Sequence, residues 1–107
     1  MVLPVRWAAA AERDLVRIAD YLWPRSRQGA ASVVSSILGS VERVAEFPET
    51  GEAALDLEPG GDLRRAVSGN YLIFYRVHPE AIRVLRIWDA RRDPATLTLP
   101  GSPTAAG

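Results

Sequence analysis

The chain has no cysteine, no lysine and a single histidine, His78. Without cysteine there are no disulfides, no thiolate zinc site and no cysteine nucleophile. One imidazole excludes a multi-histidine metal centre within one chain, so neither metal nor cofactor is expected. Every basic side chain is an arginine, thirteen in all. Arginine binds carboxylates and phosphates well, but with a pKa above about 12 it is a poor proton shuttle. No run approaches the roughly 18 apolar residues of a membrane span. The first residues, Met1-Val2-Leu3-Pro4-Val5-Arg6, lack the charged start and long apolar core of a secretion signal. A cytoplasmic domain without membrane association is the simplest expectation.

What is present is an apolar content of 48% over 107 residues, enough for one domain that buries roughly 60–70% of its unfolded surface. The formal net charge is zero, yet the charge is segregated. Residues 1–41 hold five arginines and three acids, and residues 42–62 hold seven acids and one arginine. Residues 63–92 hold seven arginines against two acids. Opposed patches of this kind suit a protein that docks on a charged partner.

The stretch from Asp62 to Asp93 organises the chain. Two apolar runs rich in β-branched and aromatic residues flank His78-Pro79-Glu80, and Pro79 fits the second position of a tight turn. Ser68-Gly69-Asn70 is a second turn, so residues 63–67, 71–77 and 81–88 read as an antiparallel meander. Apart from Arg76, the middle strand is apolar on both faces and should be the doubly covered one. Ahead of the meander, residues 2–7 read as a short strand with Pro4 near its start. Ala11, Leu15, Ile18, Ala19 and Leu22 then follow helical spacing, with Asp14–Arg17 and Arg17–Asp20 read as solvated pairs. Pro24 ends that helix. A second helix covers residues 30–46, with Ala31, Val34, Leu38, Val41 and Ala45 as its apolar stripe, widened by Ile37 and Val44. Gly39, costly within a helix, suggests close packing against the first helix.

The resulting fold class is α+β, in the order β-α-α-β-β-β: a helical hairpin packed on a small, mostly antiparallel sheet. Leu15, Ile18, Leu22, Val34, Leu38 and Val41 are expected in the core, where Leu38→Ala would cost about 2–5 kcal/mol. Residues 1–93 form the domain. Residues 94–107, free of charge and rich in Pro, Gly, Ala and Thr, read as a partly disordered tail.

The ordered set Phe47-Pro48-Glu49-x-Gly51, Leu63-Arg64-Arg65, Tyr71-Leu72-Ile73-Phe74-Tyr75-Arg76-Val77, Val84-Leu85-Arg86-Ile87 and Ala90-Arg91-Arg92-Asp93-Pro94 resembles the RelE/ParE toxin superfamily over about residues 3–97. The tyrosine-bearing strand is more similar to the ParE branch. That resemblance implies a toxin of a type II toxin–antitoxin pair that binds DNA gyrase and is neutralised by a ParD-like antitoxin. The pair would form a hetero-oligomer, for which a two-plus-two arrangement is one option. The RelE branch implies the alternative, ribosome-dependent mRNA cleavage.

Cleavage requires deprotonation of the attacking 2′-hydroxyl, neutralisation of the phosphorane and protonation of the leaving oxygen. The chain has no lysine, and Leu72 stands where the RelE branch commonly carries an arginine. Nothing after Asp93 is a competent acid, so no catalytic residue is expected, and neither is direct nucleic-acid binding by this chain alone. His78 reads as an exposed turn residue. Tyr71 and Tyr75 read as core aromatics on one strand face. Trp88 supports two readings, a core-edge indole or, with Arg91 and Arg92, a target-binding anchor. Arg64, Arg65, Arg83 and Arg86 are expected to form an antitoxin-binding face.

Overall fold

The computed structural model describes residues 2–100. Its elements are β1 (Val5–Trp7), α1 (Ala9–Leu22), α2 (Arg27–Glu46), β2 (Glu52–Ala53), β3 (Arg64–Ser68), β4 (Tyr71–His78) and β5 (Ala81–Asp89), followed by a short 3-10 turn, Pro94–Thr96. One sheet runs β1-β5-β4-β3-β2, with β1 parallel to β5 and every other pairing antiparallel. The expected order is present, with one addition: β2 lies in the acidic stretch read from sequence as loop. Two residues pairing with Arg64 and Arg65 are too short for any periodicity to announce.

The turns follow their residues. Gly69 has φ 57° and its neighbour Asn70 is not in the positive-φ region. That is the II′ arrangement whose twist matches a two-residue hairpin. Between the helices, the Ser26 hydroxyl accepts the Gly29 N–H at 2.9 Å, which fixes the start of α2. Tyr75 is fully buried, and its hydroxyl donates to the Pro48 carbonyl at 2.8 Å and accepts the Gly51 N–H at 3.0 Å. A Cβ on Gly51 would run into that hydroxyl and lie 2.8 Å from the Arg65 carbonyl, so the site requires glycine.

Two cores cover the two faces of the sheet. Against the helices, Ala11, Ile37, Val41, Val44 and Ala45 pack on Ile73, Tyr75, Ile82, Val84 and Ile87, with Leu15, Ile18 and Val33 partly buried beside them. On the other face, Ala54, Leu63, Phe74, Leu85 and Trp88 form a second core, flanked by Leu57, Leu72, Leu97 and Leu99. The middle strand is therefore covered on both sides. Leu97 and Leu99 come from the expected tail, so its first part packs as a strap; the remainder, residues 101–107, lies outside the described residues.

The α2 stripe differs from the expected one. Val41 and Ala45 of the expected stripe are buried, as are Ile37 and Val44 that widen it, and Ala30 and Val33 join them on the core face; Leu38 is 39% exposed, Val34 half-buried and Ala31 exposed. Leu15, Ile18 and Leu22 are likewise half-buried. Both stripes of α2 contain Val41 and Ala45, so periodicity alone could not separate two settings about one residue, or ~100°, apart. Gly39 is also reassigned: a Cβ there would meet nothing within 4 Å, so close helix packing is not its cause. Asp14 is buried rather than solvated.

These settings predict opposite outcomes at adjacent positions in chemical denaturation. Ile37→Ala should cost about 2–5 kcal/mol, and Leu38→Ala less than about 1 kcal/mol. Gly39→Ala should stabilise by up to about 1 kcal/mol. A larger loss at Leu38 than at Ile37 would mean that α2 is rotated.

Candidate interaction site

Strand β5 contains an irregularity that arranges the basic residues. Tyr75 pairs with Val84 and Phe74 with Arg86, leaving Leu85 as an extra residue in the ladder. Such a bulge resets the alternation of side chains: Ile82 and Val84 face the helices before it, and Ile87 after it. Strand β1 pairs with β5 only as far as Val84, so the backbone beyond it needs another partner.

Asp14 of α1 supplies that partner. Its carboxylate accepts the Ile87 N–H at 3.0 Å and both guanidinium branches of Arg86, from Nε at 2.7 Å and Nη2 at 3.0 Å. Asp14 is 5% exposed and Arg86 9%. Arg86 Nη1 also donates to the Thr98 carbonyl at 2.8 Å, tying down the strap. The expectation of Arg86 as an antitoxin-facing residue is therefore corrected: it is a buried structural cation. The overlooked partner, Asp14, sits at a buried position of α1 between Ala11 and Ile18, the one signal that could have found it.

The other arginines separate as well. Arg65 lies on the second-core side and is held by Glu52 at 2.8 Å and by both oxygens of Asp56 at 2.7 and 3.0 Å. Arg76 is held by Glu58 at 2.6 and 2.7 Å and by Asp62. These hydrogen bonds keep the Asp56 and Glu58 carboxyls below their ordinary pKa values and raise those of both arginines. Arg64, the neighbour of Arg65, projects to the opposite face and donates to the Gly51 carbonyl at 2.6 Å. Arg83 is exposed and registers against Arg6 of β1. The four expected antitoxin residues thus do not form one face: among the described residues Arg83 is exposed without an ion-pair partner, Arg64 and Arg65 are engaged, and Arg86 is inside.

Trp88 is 2% exposed and belongs to the second core, which removes it as a surface anchor. The Arg92 guanidinium lies 4.1 Å from its ring centroid and that of Arg86 5.3 Å. Among the described residues its Nε1–H meets no acceptor. Arg91 and Arg92 do remain on the surface. Arg91 chelates Asp89 at 2.7 and 3.0 Å and so lowers the Asp89 pKa. Both line a cleft of about 350 Å³ with Arg17, Tyr21 and Tyr71. Burial first, and then the Asp89 charge, raise the Tyr71 hydroxyl above its ordinary value. His78 is exposed at its turn. Among the described residues no cluster of His, Cys, Asp and Glu could hold a metal ion, and no helix is long and apolar enough to cross a membrane.

A family model for the ParE toxin of the type II toxin–antitoxin system, parDE, matches residues 5–94, which takes in both helices and all five strands. The chain belongs to the ParE toxin family. This ParE-family toxin is 35% identical over 89 residues to Toxin ParE1 of Caulobacter vibrioides, covering 77% of the chain and 86% of that relative. Its fold is similar to a solved chromosomal ParDE system from P. aeruginosa, with a TM-score of 0.70 at 19% identity over 84% of the chain and 98% of the other. A RelBE2 toxin–antitoxin complex from Mycobacterium tuberculosis aligns with a TM-score of 0.57 at 23% identity, over 81% and 96%.

Two outcomes test the ion pairs of the toxin. Asp14→Ala should cost about 3–5 kcal/mol, because it strands a buried guanidinium, while joint replacement of Asp14 and Arg86 by Leu and Met should restore much of the loss. Glu58 has a depressed folded-state pKa, so its contribution is present above the ordinary value of 4.5 and lost as pH falls through the folded value. The stability gap between wild type and Glu58→Gln, at most ~1 kcal/mol for a partly exposed pair, should therefore close below that pH. A gap that persists in acid would refute this assignment.

Proposed function

We propose that this ParE-family toxin acts by binding DNA gyrase and blocking its cycle, without catalysing a reaction of its own. A ParD-like antitoxin neutralises it in a hetero-oligomer. The observation that carries the reading is how its basic groups are engaged. Arg65, Arg76 and Arg86 are each held by carboxylates of the same chain, and Arg91 by Asp89. Ribonucleolytic chemistry would need an acid and a base poised over a phosphodiester, whereas His78 lies exposed on a turn. The RelBE2 neighbour is similar in fold, and fold alone does not fix function. A gyrase target would place the toxin in the cytoplasm, with no direct nucleic-acid contact by this chain alone.

For the antitoxin, the exposed Arg83 beside Arg6 is the favoured anchor. Like charges directly opposite on a sheet repel, so an acidic partner segment relieves a cost that the chain leaves uncompensated. Apolar burial supplies most of the affinity, since exposed ion pairs are worth only ~0–1 kcal/mol each. Arg91 and Arg92 face the target.

Purified toxin should inhibit supercoiling by the intact gyrase holoenzyme and leave mRNA uncut in a translating extract, and the antitoxin should restore supercoiling. Codon-positioned cleavage that disappears on Arg65→Ala or Arg91→Ala would establish the nuclease reading instead. Replacing Arg6 and Arg83 together by Ala should slow antitoxin association at low salt while barely changing dissociation. Unchanged association across salt concentrations would move the contact elsewhere.

A further inference from the structure

The turn between the helices does not serve either core. Tyr21 is 58% exposed and Trp23 53%, and every residue from 23 to 28 is exposed. Trp23 occupies the C-cap of α1, a position that places no demand for an indole. Each ring carries an arginine: the Arg25 guanidinium lies 3.8 Å from the Tyr21 centroid and that of Arg27 5.6 Å from the Trp23 centroid. Residues 21–41 contain no acid. Among the described residues no carboxylate pairs with Arg17, Arg25 or Arg27. Folding gains little from holding two aromatic rings and three unpaired cations in water. Isolated exposed apolar residues are ordinary, but a group of them marks a contact surface.

We propose that this hairpin tip is the part of the toxin that enters its protein target, and that the site receiving it on the target is an acidic concavity. The inference rests on the gyrase reading and extends the face formed by Arg91 and Arg92, because Tyr21 lines their cleft as well. Three features select this occupant. The tip is a turn between two helices with every residue from 23 to 28 exposed, so it suits a depression in a folded protein better than a wrapping peptide, which needs a groove to lie in. Trp, Tyr and Arg are the residues that dominate interface energetics, and arginines already stacked on rings lose less freedom when they pair. Lastly, the chain has zero net charge and an acidic stretch over residues 42–62, which opposes steering along a nucleic-acid backbone.

The test uses the full chain with Trp23→Ala, Arg27→Glu and, as a control away from the tip, Arg13→Glu. Binding to the gyrase holoenzyme, affinity for the cognate antitoxin, binding to a labelled single-stranded DNA and the melting temperature are measured for each. Trp23→Ala should weaken gyrase binding by about 30-fold or more. Arg27→Glu should slow gyrase association in a way that high salt abolishes. Antitoxin affinity and melting should stay at wild-type values, and Arg13→Glu should behave as wild type. If both tip variants hold gyrase as tightly as wild type, the inference is wrong. If they lose DNA binding and keep gyrase binding, the tip is a nucleic-acid surface and the inference is equally wrong. A wild-type chain that does not bind gyrase sinks the target reading first, and the inference with it. Should Trp23→Ala lower the melting temperature, Arg27→Glu, which removes only an exposed side chain, decides alone.

Discussion

The buried ion pair between Asp14 and Arg86 is the constraint on which the rest of the fold depends. One carboxylate on α1 closes the backbone edge of β5 where β1 has ended, and neutralises the one arginine the fold takes inside. Desolvating two charges is expensive, and a well-packed apolar pair can serve stability as well or better. What the pair supplies is placement. A one-residue slip of β5 would turn Ile82, Val84 and Ile87 away from the helices. Such a slip would also pull Arg86 off Asp14 and leave two unpaired charges in the interior. The bulge at Leu85 and the carboxylate on α1 therefore define each other. Through Thr98 the same guanidinium also fixes the strap whose Leu97 and Leu99 close the second core.

The acidic stretch has a comparable role on the other face. Read along the chain, residues 42–62 and 63–92 look like two opposed patches awaiting partners. In three dimensions much of that opposition is satisfied internally, because Glu52 and Asp56 take Arg65 while Glu58 and Asp62 take Arg76. These contacts are largely exposed and individually weak. Their effect is to fold the loop over the sheet, where Ala54 and Leu57 cover Phe74 and Trp88. The basic surface that remains is smaller and more localised than the composition suggests, centred on Arg6 with Arg83, on the cleft with Arg92, and on the hairpin tip.

The strands, helices and their order were legible because each carries a local signal. The Gly69-Asn70 and Pro79-Glu80 turns, the Pro24 stop and the 3.6-residue spacing of α1 are short-range effects. The face of α2 was legible only to within one residue, since Ile37 and Leu38 satisfy the same period and only the sheet beneath decides between them. The candidate site was less legible still. Arg86 looked like its neighbours because burial is not written in the identity of one residue, and its partner lies 72 positions away. Trp88 was ambiguous because the strap that covers it reads, from composition alone, as a tail without structure.

That ambiguity has a physical origin that bears on function. The helical hairpin and the twisted sheet are similar in both the ParDE and the RelBE2 systems, so the scaffold leaves function to surface groups. In this chain half of the sheet arginines, Arg65, Arg76 and Arg86, are engaged by internal carboxylates, and a guanidinium with both branches held is poorly placed to follow a phosphodiester through a changing transition state. Among the described residues, the cations without carboxylate partners include exposed ones at the perimeter: Arg83 beside Arg6, Arg92, and Arg25 and Arg27 with their aromatic rings. Perimeter cations of this kind act on encounter and orientation more than on bond breaking. On the proposed binding function, the locked basic centre leaves the open basic rim to hold a partner, and the acidic loop that locks the centre directs that partner to the rim.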